Sequence, residues 1–315
     1  MDLPHPLARK KVQKRALKRM KQQWQLYVFL LIPIAVVIIF SYVPMYGITL
    51  AFKEFRSKLG ILGSPWANPP VKHFLQFFNS PNFGLLLKNT LLLSLYSLAA
   101  GFPAPIILAL CLNEVKQKWF KKSVQMITYA PYFISTVVLV GMLIRLTNAR
   151  NGLFSQIIQF FGGPPTDLMA NSGMFRTLYV FSGIWQGMGY SAIIYIAALS
   201  NVDPTLYEAA IIDGVNRFQK IVHIDIPTIL PTVTLLLIMN LGHILGSEFD
   251  RPFTLSNPLV VGASKTISIF VYERGIQGSQ FSLSTAVGLF QSVVCVIFLL
   301  LSNSLAKKFG ERGIW

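Results

Sequence analysis

The residues of this chain whose types and spacing could do chemistry are polar side chains set inside long apolar runs. Asn240, His243 and Ser247 recur at intervals of three and four, so a helix would carry them on one face. Gln186 and Tyr190 stand four apart in a second apolar run, and Gln291 lies in a third. Amides, hydroxyls and aromatic faces can hold an uncharged polar solute, which makes these residues candidates to line a solute pathway. Hydrogen bonding between packed helices explains the same spacing, and both readings stand. Glu248, Asp250 and Arg251 cluster just past one apolar run, and Arg145 follows another. Such charges either reach water at a membrane edge or form an external gate, an entrance or a docking surface. Catalysis finds no foothold. His5 lies in a basic tail, His73, His223 and His243 are isolated, and no nucleophile, base and orienting group share a context. There is no GxxxxGK[ST] phosphate loop and no CxxC pair. Cys111 and Cys295 fall in apolar runs and read as small buried hydrophobes. The expectation is a chain that is not an enzyme by itself and that holds no cofactor or metal.

The elements that must position these groups are membrane helices. Of 315 residues 53% are hydrophobic and only 13% charged, where a soluble domain carries about 25% charged residues. Net charge is +16, but eight of the 28 Lys and Arg residues fall between Arg9 and Lys21. That concentration suits a membrane surface and argues against nucleic acid. Residues 1–25 form a basic cytoplasmic tail. Val12, Ala16, Met20 and Trp24 recur every fourth residue in it, which reads as an amphipathic helix or as a plain positive flank. Six spans are predicted, at about 26–50, 89–113, 123–144, 177–202, 226–247 and 281–305, within one transmembrane domain of residues 26–306. Pro103 and Pro105 predict a broken second span, and Pro131 falls in the first half of the third. Residues 203–225 form an inner loop and 307–315 a short basic tail. The predicted inner segments hold 17 Lys and Arg against 10 outside, so both ends are expected on the cytoplasmic side.

One polar island organises the rest. Asp203 and Pro204 are an N-cap and a first helical residue, and Gly214 is placed to end a helix of about three turns. So short a helix is marginal alone and must lie against something larger. It is an ordinary loop or a lever for a partner protein. Here the sequence resembles the membrane subunits of binding-protein-dependent type I ABC importers. Glu208-Ala209-Ala210, then Asp213-Gly214, Ile224, Ile226-Pro227 and Pro231 are similar to that family's signature loop, with Val215 where Ala is usual. Tyr42-x-Pro44-Met45-Tyr46-Gly47, Asn89-Thr90-Leu91, Phe102-Pro103-Ala104-Pro105 and Ala286–Gln291 resemble the branch that imports oligosaccharides and polysaccharides, alginate among them. The likeness covers nearly the whole chain.

The resemblance implies that the membrane is a bacterial inner one, and an all-α polytopic fold of six transmembrane helices with a cytoplasmic coupling helix between the fourth and fifth spans. It implies ATPase docking through Glu208, Ala209, Ala210, Asp213, Gly214 and Arg217. It further implies a second, related permease, two cytoplasmic ATPase subunits that carry ATP and Mg2+, and an extracytoplasmic solute-binding protein that delivers a saccharide. An ion-coupled secondary transporter is the main alternative. It needs ionisable groups within the membrane and usually a paired repeat, and neither is visible here. A non-transporting scaffold is the third class, and it has no need of a lever shaped for an ATPase.

Overall fold

The computed structural model describes residues 22–246, 248–308 and 313–314. Most of the basic tail, Ser247 and part of the C-terminal tail therefore lie outside the described residues. Among the described residues the chain is helical, with no strand and one isolated antiparallel bridge between Lys53 and Trp66. Four helices are long and apolar enough to cross a membrane: α1 (Trp24–Phe52), α2 (Phe83–Glu114), α7 (Arg217–Leu241) and α8 (Phe281–Lys308). A bent pair, α3 (Lys118–Phe133) and α4 (Thr136–Thr147), makes a fifth if counted as one span. The helix α5 (Ser172–Leu199) has 28 residues, long enough to cross, but its Gly and Ser content holds its hydropathy below that of the others. A short helix, α6 (Pro204–Ile212), links α5 to α7.

The spans depart from the sequence expectation in three places. The second is continuous: Phe102 keeps helical dihedrals and its N–H still reaches the Leu98 carbonyl, so Pro103 and Pro105 start a new stretch without breaking the old one. Proline at the first position of a helical segment removes no needed donor. The third, expected as one helix over 123–144, turns by 99° between α3 and α4. Pro131 tightens the chain into a 3₁₀ turn, and Ser135 caps the new helix by accepting from the Val138 N–H. The fifth ends at Leu241, not at 247, and a turn containing Gly242 and Gly246 follows it.

The helix α5 is the hub and packs against α2, α3 and α7. Toward α6 the contact is apolar, with Ala109, Ala192, Tyr195, Leu199 and Ile229 in one cluster. Toward the other end Leu93, Val140, Phe175, Val180 and Leu255 form a second. A third holds α8 to α2 and to the short helix Lys72–Phe78, through Phe77, Leu86, Phe270 and Val287. Phe77 and Phe83 meet edge to face at 5.1 Å there. None of the most apolar part of α1 is buried within the chain. An all-apolar helix without a covered face requires lipid or another subunit around it. Cys295 is half-buried, but Cys111 is exposed on this chain, so its expected burial does not hold within the single subunit.

Candidate functional site

Two regions carry the residues singled out above, and they lie at opposite ends of α7. The first is α6 with its flanks. Asp203 accepts from the Thr205 N–H at 2.9 Å, and Pro204 takes the first helical position. That backbone N–H is the main reason the Asp203 carboxyl sits below its ordinary value, with the Thr205 side chain adding to it. At the other end the Gly214 N–H bonds the Ile211 carbonyl and the Val215 N–H bonds the Ala210 carbonyl. This closure needs a left-handed residue, and Gly214 has φ +68°. A capping box of Asn216 and Gln219 starts the next turn at once.

The tip so formed is apolar and open. Ile211 is 77% and Ile212 86% exposed, with Phe218 beside them at 74%. Glu208, Ala209, Asp213 and Arg217 are exposed too, whereas Ala210 is buried. Contiguous large apolar groups at a polar end of a membrane protein mark a protein contact. Arg217 and Phe218 also border an open cleft of about 750 Å³ with Glu114 and Lys116, at the foot of α2.

Beneath the tip is a polar clasp that the sequence reading missed. The Tyr207 hydroxyl donates to Asp225 Oδ1 at 2.7 Å. Asn113 Nδ2 reaches both of those oxygens at 3.4 Å. Asp225 is fully buried. Lys220 pairs with Glu114, and its ammonium lies 4.9 Å from the centre of the Tyr207 ring. Burial, then donation to Asp225, pushes the Tyr207 hydroxyl up to about 12, so it remains a donor at neutral pH. The clasp joins α6 to the last turn of α2 and the first turns of α7.

The second region is a cavity between α2, α5 and α7. It holds about 370 Å³ and is walled by Ser94, Ser97 and Gly101 of α2, Tyr179 and Ser191 of α5, and Asn240 of α7. His243 and Glu248, from the turn beyond α7, complete it. An adjoining space of about 240 Å³ shares Ser97, Tyr179, Ser191 and Glu248 and adds Arg251. Asn240 and His243 thus reach the cavity. Each also bonds its own helix: Asn240 donates to the Leu236 carbonyl at 2.8 Å, and His243 Nδ1 lies 2.9 Å from the Met239 carbonyl. Because α7 ends at Leu241, the shared helical face expected for Asn240, His243 and Ser247 does not continue past Asn240.

Gln186 and Tyr190 part company. Gln186 is buried; its Nε2 donates to the Ile134 carbonyl at 2.7 Å, and its Oε1 accepts from Arg251 Nη2 at 2.7 Å. The kink between α3 and α4 leaves that Ile134 carbonyl free of a helical partner. Tyr190 is half-exposed and stacks on Tyr132, ring centres 3.9 Å apart. Gln291 bonds the Leu245 carbonyl and lines a different, apolar space with Phe249 and Tyr272. Arg145 is exposed in the last turn of α4. Asp250 is exposed and starts a short helix, Asp250–Leu255, whereas its neighbour Arg251 turns inward.

Ser94, Ser97, Tyr179 and Ser191 were not singled out from the sequence. The signal for the first two was present: Ser94, Ser97 and Gly101 follow at three and four through an uncharged run, one small stripe on a helix. Tyr179 and Ser191 carry no such signal, because they are twelve residues apart on α5 and share only the cavity that they line.

Known proteins resemble this chain in sequence and in fold. The family profile described as "Binding-protein-dependent transport system inner membrane component" matches residues 101–311. The polygalacturonan/rhamnogalacturonan transport system permease protein YteP of Bacillus subtilis (strain 168) is 43% identical over 307 residues, covering 98% of this chain and 95% of that protein. Protein LplB of the same organism is 37% identical over 300 residues, covering 95% of this chain and 93% of its own length. Among solved structures, a chain of a bacterial ABC transporter involved in the import of the acidic polysaccharide alginate superposes with a TM-score of 0.85 at 37% identity, over 93% of this chain and 99% of that one. A chain of the alginate transporter in complex with an alginate pentasaccharide-bound periplasmic protein gives 0.85 at 36% identity, over 95% and 100%.

Proposed function

Because the chain belongs to the family of binding-protein-dependent transport system inner membrane components, we propose that it forms half of the transmembrane pathway of an ATP-driven saccharide importer. It is a sugar ABC transporter permease of the multi-pass membrane class. Its transported solute is an oligosaccharide or polysaccharide of the kind named for its relatives, alginate among them. Six spans make up this half: α1, α2, the bent α3–α4 pair, α5, α7 and α8. Both termini are cytoplasmic, and α6 is the coupling helix. A related permease supplies the other half. Of two ATPase subunits, which bind ATP and Mg2+, one docks on this chain's loop through Glu208, Ala209, Ala210, Asp213, Gly214 and Arg217, and the other on the related permease. A binding protein on the far side delivers the saccharide.

The observation that carries this reading is the position of the clasp. The exposed tip of α6 is tied through Tyr207, Asp225 and Asn113 to α2 and α7, and those helices also wall the cavity. A push on the tip therefore tilts two cavity walls together, as alternating access requires. ATP closes the ATPase pair, the tips move inward, and the cavity changes the side on which it opens. The protein's own part is mechanical and selective: it holds the lever, shapes the pathway and lines it with hydroxyl, amide and aromatic groups.

The test is reconstitution of the full complex in vesicles, with saccharide uptake and ATP hydrolysis measured together. Uptake that requires ATP and the binding protein is expected. Uptake driven by an ion gradient without ATP would reject the reading. Single cysteines at positions 66 and 218, labelled from either side, test orientation, and external labelling at 218 would overturn it.

A further inference from the structure

Among the described residues Arg251 is the one strongly buried cation beside the cavity, and its surroundings are unusual for a structural arginine. It is 9% exposed. Its Nη2 is held by Gln186 at 2.7 Å and lies 3.5 Å from Glu248 Oε1, longer than a charge-assisted hydrogen bond. Its Nε is buried without a hydrogen-bond partner. The guanidinium lies 5.8 Å from the Tyr179 ring, and a Cβ on Gly183 would collide with Nη1, so any side chain there would push the guanidinium from its present place. Glu248, its acidic contact among the described residues, is more exposed than the arginine and faces the same cavity.

An arginine with this much burial and an unused donor is a fork awaiting a planar acceptor. Its charge is tolerated because Glu248 stays near, but the long contact leaves that pairing easily exchanged. Gln186 and the Ile134 carbonyl behind it hold the fork by Nη2, and the buried Nε, which has no partner, becomes a second donor once the group that covers it moves.

We propose that Arg251 is a carboxylate-binding group of the transport pathway, specific for uronate units of an acidic saccharide, and that Glu248 occupies it between passing units. The proposal rests on the pathway reading above and adds the chemical class of the ligand. A uronate carboxylate accepts from Nε and a terminal nitrogen as Glu248 swings away, and the returning Glu248 displaces it. The exchange never leaves the buried cation unpaired, which would be costly. It also keeps the binding weak enough for onward movement. No covalent bond changes and no net proton moves.

The experiment uses the purified permease–ATPase complex without the binding protein. Binding of a short oligogalacturonate and of a neutral galacto-oligosaccharide of equal length is measured by calorimetry. Arg251→Gln is expected to weaken oligogalacturonate binding about tenfold, with Arg251→Lys recovering part of it because lysine keeps the charge but not the fork. Glu248→Gln is expected to tighten it several-fold and, in vesicles with the binding protein, to slow release and uptake. Binding of the neutral sugar should move less than about twofold in all three. A salt bridge that merely braces the fold predicts that loss of either partner harms both ligands alike. The proposal is overturned if the arginine and glutamate variants shift oligogalacturonate binding in the same direction, or if the neutral sugar follows. It is also overturned if the wild-type complex imports neutral saccharides and no uronates, a result that leaves the importer reading intact. Failure to import any saccharide would overturn both. If Arg251→Gln does not assemble, the opposite sign expected of Glu248→Gln still decides.

Discussion

The coupling end and the cavity are both polar islands in an apolar chain, but they are put together in opposite ways. The coupling end is local. Its helix, caps and turn fall within residues 203–225, and only the clasp reaches outside, to Asn113 and Glu114. The cavity is assembled from distant segments. Arg251 meets Gln186 across 65 residues, and Gln186 meets Ile134 across 52. The coupling end shows large apolar groups outward, whereas the cavity shows small hydroxyls and one charged pair inward. A rigid lever can be written in one stretch, because its geometry is set by backbone caps. A selective wall has to draw on several helices, since each helix presents only a narrow face. On the proposed function, motion originates where the chain is local and is felt where it is not.

The largest effect should come from the turn that fixes the lever. Gly214 has φ +68° and open space around a would-be Cβ, so a substitution there is penalised by the backbone alone. For a non-glycine residue that conformation costs about 1–2 kcal/mol, and less for Asp or Asn. Gly214→Val should therefore lower substrate-stimulated ATP hydrolysis more than about tenfold and Gly214→Asp somewhat less, with membrane insertion unchanged. Full stimulation in both would detach the lever from coupling. Glu208→Ala, exposed beside it, should do less than either, measured as co-purification of the ATPase.

The clasp comes next, because it joins the two regions. Asp225→Ala strands the Tyr207 hydroxyl and Asn113, and an unsatisfied buried group costs about 1–3 kcal/mol. Uptake per ATP hydrolysed should fall several-fold while the ATPase still binds. Asp225→Asn keeps an acceptor for Tyr207 and should retain most of the coupling. If the alanine variant keeps the wild-type ratio, the clasp is only a brace. A smaller effect is expected of Gly183→Ala, which crowds the guanidinium of Arg251 out of its niche. It should reduce uptake a few-fold with ATPase docking unaffected, and thereby separate the two regions in one measurement.

How much of this was legible in the sequence follows the same division. Asp203, Pro204 and Gly214 announced α6 to within two residues, because caps and left-handed turns are local chemistry. Hydropathy placed the apolar segments, but not the 99° bend at Ile134. Ser135, a good cap within an apolar run, was its signal, and Pro131 alone was read. The early end of α7 was likewise marked by Gly242, which a charge-free window overlooked. The family was readable from the loop motif, and the profile and relatives agree with it. Asp225, Asn113 and Ser191 could not be found that way. Each is unremarkable among its neighbours, and the partners that give it a role lie across the fold. Arg251 was seen as a charge near the entrance, but its burial depends on a glycine 68 positions earlier in the chain.

The smallest effect should come from His243 and Asn240, and it sharpens what a cavity wall is. Both border the cavity, yet both already satisfy one polar atom on their own helix, at 2.9 and 2.8 Å. A group so satisfied offers a passing sugar only its remaining capacity: Nε2 of the imidazole, and the amide oxygen with one N–H. A single hydrogen bond exchanged against water is worth about 0.5–1.5 kcal/mol. His243→Leu should therefore slow saccharide uptake by about two- to fivefold, with assembly intact. Tyr190→Ala removes a ring stacked on Tyr132 rather than one free in the cavity. Its effect should appear in assembly, through the contact between α5 and the bend after α3, before it appears in transport. If Tyr190→Ala assembles normally and loses more uptake than His243→Leu, the solute path runs along the Tyr132–Tyr190 face. The space between α2, α5 and α7 would then be a void between helices, not the route.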